Sequence, residues 1–125
     1  MKPIKLQKKV FEVPFAKEDG SVAFTLEYHR SDKTTDNMLE ELKKLEELDK
    51  KFKKEKGEQW TTTEEERKII RPMIDSMFGE GAFDKLYDFD DDVRMVFFYV
   101  FAAAEQVQEE IKNSDLKKIE DKYLK

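Results

Sequence analysis

Residues 78–87 read FGEGAFDKLY, and the acidic run Asp88-Phe89-Asp90-Asp91-Asp92 follows at once. Two of the chain's four glycines, Gly79 and Gly81, stand on either side of Glu80. Glycines this close together suit a phosphate cradle, a metal loop or a corner between two helices, and the choice decides how the second half of the chain folds. A phosphate loop needs G-x-x-x-x-G-K-[ST], and a dinucleotide turn needs G-x-G-x-x-G after a strand. Here the glycines follow a helical pattern, and Glu80 would repel a phosphate. Asp88, Asp90 and Asp92 fall where an EF-hand loop has its first three ligands, but Val93 stands in place of its glycine and Tyr99 in place of its bidentate glutamate. Acids capping the positive end of a helix account for that run better. The corner remains. A glycine at positive φ ends one helix and turns the chain, with Phe78, Gly79 and Gly81 forming the corner and Phe78, Phe83 and Leu86 packing inward.

Working back from the corner, QWTTTEEERKIIRPMIDSMF predicts a helix. Thr62–Glu65 and Thr63–Glu66 both have capping-box spacing, and acids crowd the N-terminal end. Ile69, Ile70, Met73, Ile74 and Met77 supply an apolar side. Pro72 removes the bond to the carbonyl of Lys68 and predicts a kink or a restart there. Working forward, a helix is predicted from about Asp90 to Lys112. Val93, Phe97, Val100, Ala104, Val107 and Ile111 form a core seam, while Met95, Phe98, Tyr99 and Ala102 lie away from it. A helix apolar on most sides is central in a bundle or faces a partner. These four residues are therefore the candidates for contact with another chain, through self-association or a helical client. Asn113-Ser114 predicts a break, and Leu116, Ile119 and Tyr123 one more amphipathic pair of turns.

Upstream, residues 9–28 predict a β-hairpin. Phe11, Val13 and Phe15 alternate along one strand, and Val22, Phe24, Leu26 and Tyr28 along the next. Asp19-Gly20 supplies the turn, and Pro14 marks the first strand as an edge. Two strands alone are marginal in water, so the hairpin must lie on the helices. Residues 30–35 read as a loop, and a helix is predicted from Asp36 or Asn37 to Gly57. Met38, Leu42, Leu45 and Phe52 form its stripe, flanked by Leu39 and Leu48. Glu40–Lys44, Glu46–Lys50, Glu47–Lys51 and Asp49–Lys53 are spaced to pair across one turn. The expected fold is α+β and mostly α: a hairpin region at 1–30, then a helical region at 36–125 with three to four helices in a small bundle, all one domain at 1–125.

The chain has 125 residues, 38% of them hydrophobic, 42% charged and 12% aromatic. That much aromatic content separates it from disordered chains. The net charge of −5 argues against a nucleic-acid binder, which would present a basic surface. The five lysines in residues 49–57 stand among acids on a helix whose Phe52 continues the buried stripe, and so read as a solvated face. Without cysteine there is no disulfide or thiolate site. The start, MKPIKLQKKV, has no apolar run of the kind a signal peptide needs. Met95–Ala104, the longest apolar run, is ten residues against the roughly 20 that span a bilayer. His29, the one histidine, sits on the outer side of a strand. No pair of acids stands out by spacing or apolar surroundings as an acid–base couple. The expectation is no enzyme, no cofactor, no metal, no membrane and no nucleic acid, in a cytoplasmic setting.

The stretch Met77–Tyr87, MFGEGAFDKLY, with a helix after it, resembles the second half of tail assembly chaperones from siphophages and prophages of Gram-positive bacteria. Members of that family carry an F-G-E-G-x-x-x-K-hydrophobic-aromatic stretch between two helices; Phe78, Gly79, Glu80, Gly81, Lys85, Leu86 and Tyr87 occupy those places here. Family members often have glycine after the aromatic, where this chain has Asp88. The resemblance implies a non-enzymatic protein of the host cytoplasm that coats the tape-measure protein until the tail tube forms around it, with the major tail protein as a further partner and with self-association. High surface charge fits a soluble body that displays apolar grooves. The alternative is an acidic inhibitor or mimic that blocks a basic host protein, but acids and lysines are interspersed outside residues 88–92.

Overall fold

The first regular elements are the antiparallel strands β1 (Val10–Ala16) and β2 (Val22–His29). Four helices follow: α1 (Asp32–Lys56), α2 (Glu64–Phe78), α3 (Ala82–Phe89) and α4 (Val93–Lys112). The fold is α+β and mostly α, as the sequence predicts. The computed structural model describes residues 1–4, 6 and 10–113. Residue 9, at the expected start of the hairpin, and the expected turns at Leu116, Ile119 and Tyr123 lie outside the described residues.

Alternation places the hairpin on the helices. Val13, Leu26 and Tyr28 are buried, with Phe11, Phe15 and Phe24 packed against the core beside them. β1 lies against α4 and β2 against α2. The turn closes through Gly20 at φ 88°, and Asp19 Oδ1 accepts from the Ser21 amide at 2.9 Å.

Helix α1 begins at Asp32, four residues before the earlier of the two expected starts. Ser31 is its N-cap. Ser31 Oγ accepts from the Thr34 amide, and Thr34 Oγ1 accepts from the Ser31 amide at 2.8 Å. Threonine thus fills the place where the usual box has glutamate or glutamine, which is why the spacing did not mark it. Thr34 Oγ1 also donates to the His29 carbonyl at 2.7 Å, binding the helix start to the end of β2. Asn37, the later of the two expected starts, lies inside the helix and donates from Nδ2 to Ser76 Oγ at 3.1 Å, which joins α1 to α2. Of the expected turn-to-turn pairs, Asp49–Lys53 closes at 3.1 Å, while Lys44 turns to the buried Glu41 at 3.1 Å rather than to Glu40.

Thr63 caps α2 through a full box with Glu66. The Glu66 carboxyl lies below its ordinary pKa of 4.5, first because Lys56 donates to it and then because the Thr63 amide does. The helix does not restart at Pro72; it runs unbroken from Glu64 to Phe78. Pro72 and Lys68 are both exposed, so the Lys68 carbonyl deprived of its amide partner lies on the water side, where solvent satisfies it. Helix α4 begins at Val93, not Asp90. The residues before it, for which the sequence predicts no separate helix, form α3, and Asp90 ends that helix by donating its amide to the Leu86 carbonyl at 3.0 Å.

The core runs through all of these elements. Val93, Phe97, Val100, Ala104 and Val107 are buried, and Val96 and Ala103 are buried beside them. The seam of α4 is therefore wider than one heptad stripe, because α1, α3 and β1 all pack on this helix. Trp60, from the α1–α2 connection, lies between Phe52 and Phe97 with ring centroids at 4.9 and 5.5 Å.

Candidate partner-binding surface

The glycine corner sets where α3 and α4 go. Gly79 ends α2 at φ 97°, ψ 157°, and its amide donates to the Asp75 carbonyl at 2.8 Å. Gly81 precedes α3 at φ 88°, ψ −2°, in the left-handed region. Because glycine has no side chain to cap α3, Asp75 reaches across from α2, and its Oδ1 accepts from the Phe83 amide at 2.9 Å. Phe78, Phe83 and Leu86 are buried. Arg71 and Arg67 of α2 then lie over the rings of Phe83 and Tyr87, at 5.3 and 5.4 Å. The opening stretch is a helix corner.

A Cβ at either glycine would meet nothing within 4 Å, so substitution is costly through the backbone alone. Gly79 occupies a region that is essentially glycine-only, whereas Gly81 occupies one that asparagine tolerates. Gly79→Ala is expected to lower stability by about 1–3 kcal/mol, and Gly81→Asn by clearly less. Urea midpoints at equal m-value check this; equal costs at both positions would refute the assignment.

The corner and the hairpin together bring aromatic rings into a row. Phe89 of α3 meets Phe24 at 6.0 Å, Phe24 stacks on Phe15 at 5.0 Å, Phe15 meets the edge of Tyr99 at 6.1 Å, and Tyr99 meets Phe98 at 6.1 Å. The middle of the row is half-buried, but its ends are open: Phe89 is 53% exposed and Phe98 62%. Met95 is exposed on the same helix as Phe98, one turn earlier. The four α4 residues singled out from the sequence therefore divide. Met95 and Phe98 face outward. Tyr99 and Ala102 are half-buried, and the Tyr99 hydroxyl donates to Asp90 at 3.1 Å. Burial first, and then Asp90, push the Tyr99 hydroxyl above its ordinary pKa of 10.0. The hairpin's share, Phe15 and Phe24, was not singled out, because alternation alone cannot separate a ring at the edge of the core from one at its centre.

The acids around the row have structural work. Asp92 Oδ1 caps α4 by accepting from the Arg94 amide at 3.0 Å, and Asp90 holds Tyr99. Among the described residues no group of three or more His, Asp or Glu side chains is placed to hold a metal ion. His29 is exposed beside Glu27 at 3.2 Å. A cleft of about 480 Å³ lies between the α1–α2 connection and the start of α4, lined by Trp60, Arg67, Tyr87 and Arg94 among others. Its arginines are already engaged: Arg67 donates to the Thr62 carbonyl and Arg94 to the Glu58 carbonyl, both at 2.7 Å. No helix among the described residues is long and apolar enough to cross a membrane. Comparison with protein-family models, curated proteins and solved structures finds no match.

Proposed function

We propose that this protein is a tail assembly chaperone of a phage or prophage of Gram-positive hosts, working in the host cytoplasm to keep the tape-measure protein soluble before the tail tube forms. The observation that carries the reading is the aromatic row from Phe89 through Phe24, Phe15 and Tyr99 to Phe98, open at both ends. Exposed apolar surface on an otherwise highly charged protein marks a site of protein contact. Rigid aromatic rings are also the side chains that most often anchor such contacts. The F-G-E-G-x-x-x-K resemblance supplies the kind of client, a long helical protein with apolar faces, and the major tail protein as a second partner. The reading asks for binding and release and for no bond-breaking chemistry.

Co-expression is the test. A tape-measure fragment that precipitates when made alone is expected to stay soluble, and to co-purify, when made with this protein. A fragment that precipitates equally with and without it would overturn the reading. The rival, an acidic mimic, predicts binding to a basic protein that is lost in high salt and indifferent to the aromatic row.

A further inference from the structure

Helix α4 carries two seams. Val93, Phe97, Val100, Ala104 and Val107 form the buried one. Met95 lies two residues on from Val93, roughly 200° round the helix, and opens a second. From it Phe98, Ala102, Glu105 and Glu109 follow at spacings of 3, 4, 3 and 4, the heptad spacing at which one helix packs along another. Met95, Phe98, Glu105 and Glu109 are exposed and Ala102 is half-buried.

This outer seam changes character along its length. Its first half is apolar and its second half acidic, with a groove of about 380 Å³ beside it lined by Ala102, Glu105, Gln106, Glu109 and Glu110. Lys112 approaches Glu109 at 3.8 Å, but among the described residues Glu105 and Glu110 have no ion-pair partner. Acid also stands at the other end, where Asp91 is exposed one turn before Met95. Arg94 does not offset it, because its guanidinium is turned to the Glu58 carbonyl at 2.7 Å.

An apolar centre between acids discriminates among occupants. A second copy of α4 laid parallel would set Glu105 beside Glu105 and Glu109 beside Glu109. Laid antiparallel, with Phe98 against Phe98, it would set Glu105 opposite Asp91. Like charges meet in both orientations, which weakens the pairing. A helix with an apolar middle and basic residues on either side of it meets opposite charge at both ends instead.

We propose that the outer seam of α4 takes a basic amphipathic helix of another protein, with that helix's apolar residues on Met95, Phe98 and Ala102 and its lysines or arginines at Glu105 and Glu109. The inference rests on the reading of this face as a client site, and it names the class of segment the client offers there.

Two labelled helical peptides with one apolar seam in common, the first flanked by lysines and the second by glutamates, test it by fluorescence anisotropy with the full-length protein. The lysine peptide is expected to bind more tightly by about tenfold or more, with the gap narrowing as salt is raised. Glu105→Lys with Glu109→Lys is expected to abolish or reverse that preference. Should this variant fail to fold by circular dichroism, Glu105→Gln with Glu109→Gln takes its place. Glu46→Lys with Glu47→Lys makes the same charge change at exposed positions of α1, and is expected to keep the preference. Equal binding of the two peptides, binding of neither, or the same loss in the α1 variant would each overturn the proposal. So would a wild type that gains mass with concentration in light scattering while Phe98→Asp stays monomeric, since a second copy would then be the occupant. Client solubility is read separately. A tape-measure fragment kept soluble equally by wild type and by Glu105→Lys with Glu109→Lys would overturn this inference and leave the chaperone reading standing. A fragment that precipitates beside a wild type selecting the lysine peptide would do the reverse.

Discussion

Trp60→Ala is expected to lower folding stability by about 3–5 kcal/mol, a large share of the roughly 5–15 kcal/mol that holds a domain folded. Trp60 belongs to the connection between α1 and α2, not to either helix, yet it is only 2% exposed. Its ring lies between Phe52 near the end of α1 and Phe97 in α4. Removing it therefore opens a cavity where two long helices meet through a loop, a place where rigid helix ends cannot easily close the gap. The indole Nε1–H has no hydrogen-bond partner among the described residues, and leaving such a donor buried costs about 1–3 kcal/mol. Trp60→Phe deletes that donor while keeping a ring between Phe52 and Phe97, so its net cost should be much smaller than that of alanine. Urea denaturation followed by far-ultraviolet circular dichroism measures both, since either change removes the single tryptophan that fluorescence would use. Similar midpoints for Trp60→Ala and wild type would refute the packing role.

The sequence shows the hairpin, the charged helix, the corner and the apolar helix because each has a local cause. Period-two alternation marks Val13 and Leu26, capping-box spacing marks Thr63 and Glu66, and positive-φ glycine marks the corner. The misses are equally physical. Thr34 takes the part of a capping glutamate at α1, and nothing in the residue type alone separates that from a polar loop. Helix α3 has eight residues, too short to form on its own. It is held by Asp75 on the preceding helix and by burial of Phe83 and Leu86, which are tertiary causes. The apolar side of α4 suggested four outward residues, and the structure leaves Met95 and Phe98 exposed but engages Tyr99 with Asp90 and Phe15. The other half of the aromatic row comes from Phe15 and Phe24, which stand 84 and 65 residues earlier in the chain than Tyr99 and Phe89, the rings they meet. No local pattern could have joined them.

Phe98→Asp is expected to separate binding from folding. Phe98 is the most exposed aromatic of the row, and among the described residues the ring it meets is that of Tyr99. An acid at this position sits in water, so stability should change by no more than about 1 kcal/mol. Binding should suffer far more. An aromatic anchor at an interface is commonly worth about 2 kcal/mol or more, close to a thirtyfold loss of affinity at about 1.4 kcal/mol per factor of ten. A carboxylate there would also lose its water against an apolar client. The control lies two residues away. Val100 is fully buried on the neighbouring side of the same helix, and Val100→Asp would place an unpaired charge in the core and unfold the protein. Circular dichroism and client co-solubility, measured on both variants, give the decision. Phe98→Asp folded with the client lost makes the aromatic row a working surface. Phe98→Asp folded with the client still soluble removes the row from the binding site. Phe98→Asp unfolded like Val100→Asp would mean that α4 serves the core alone.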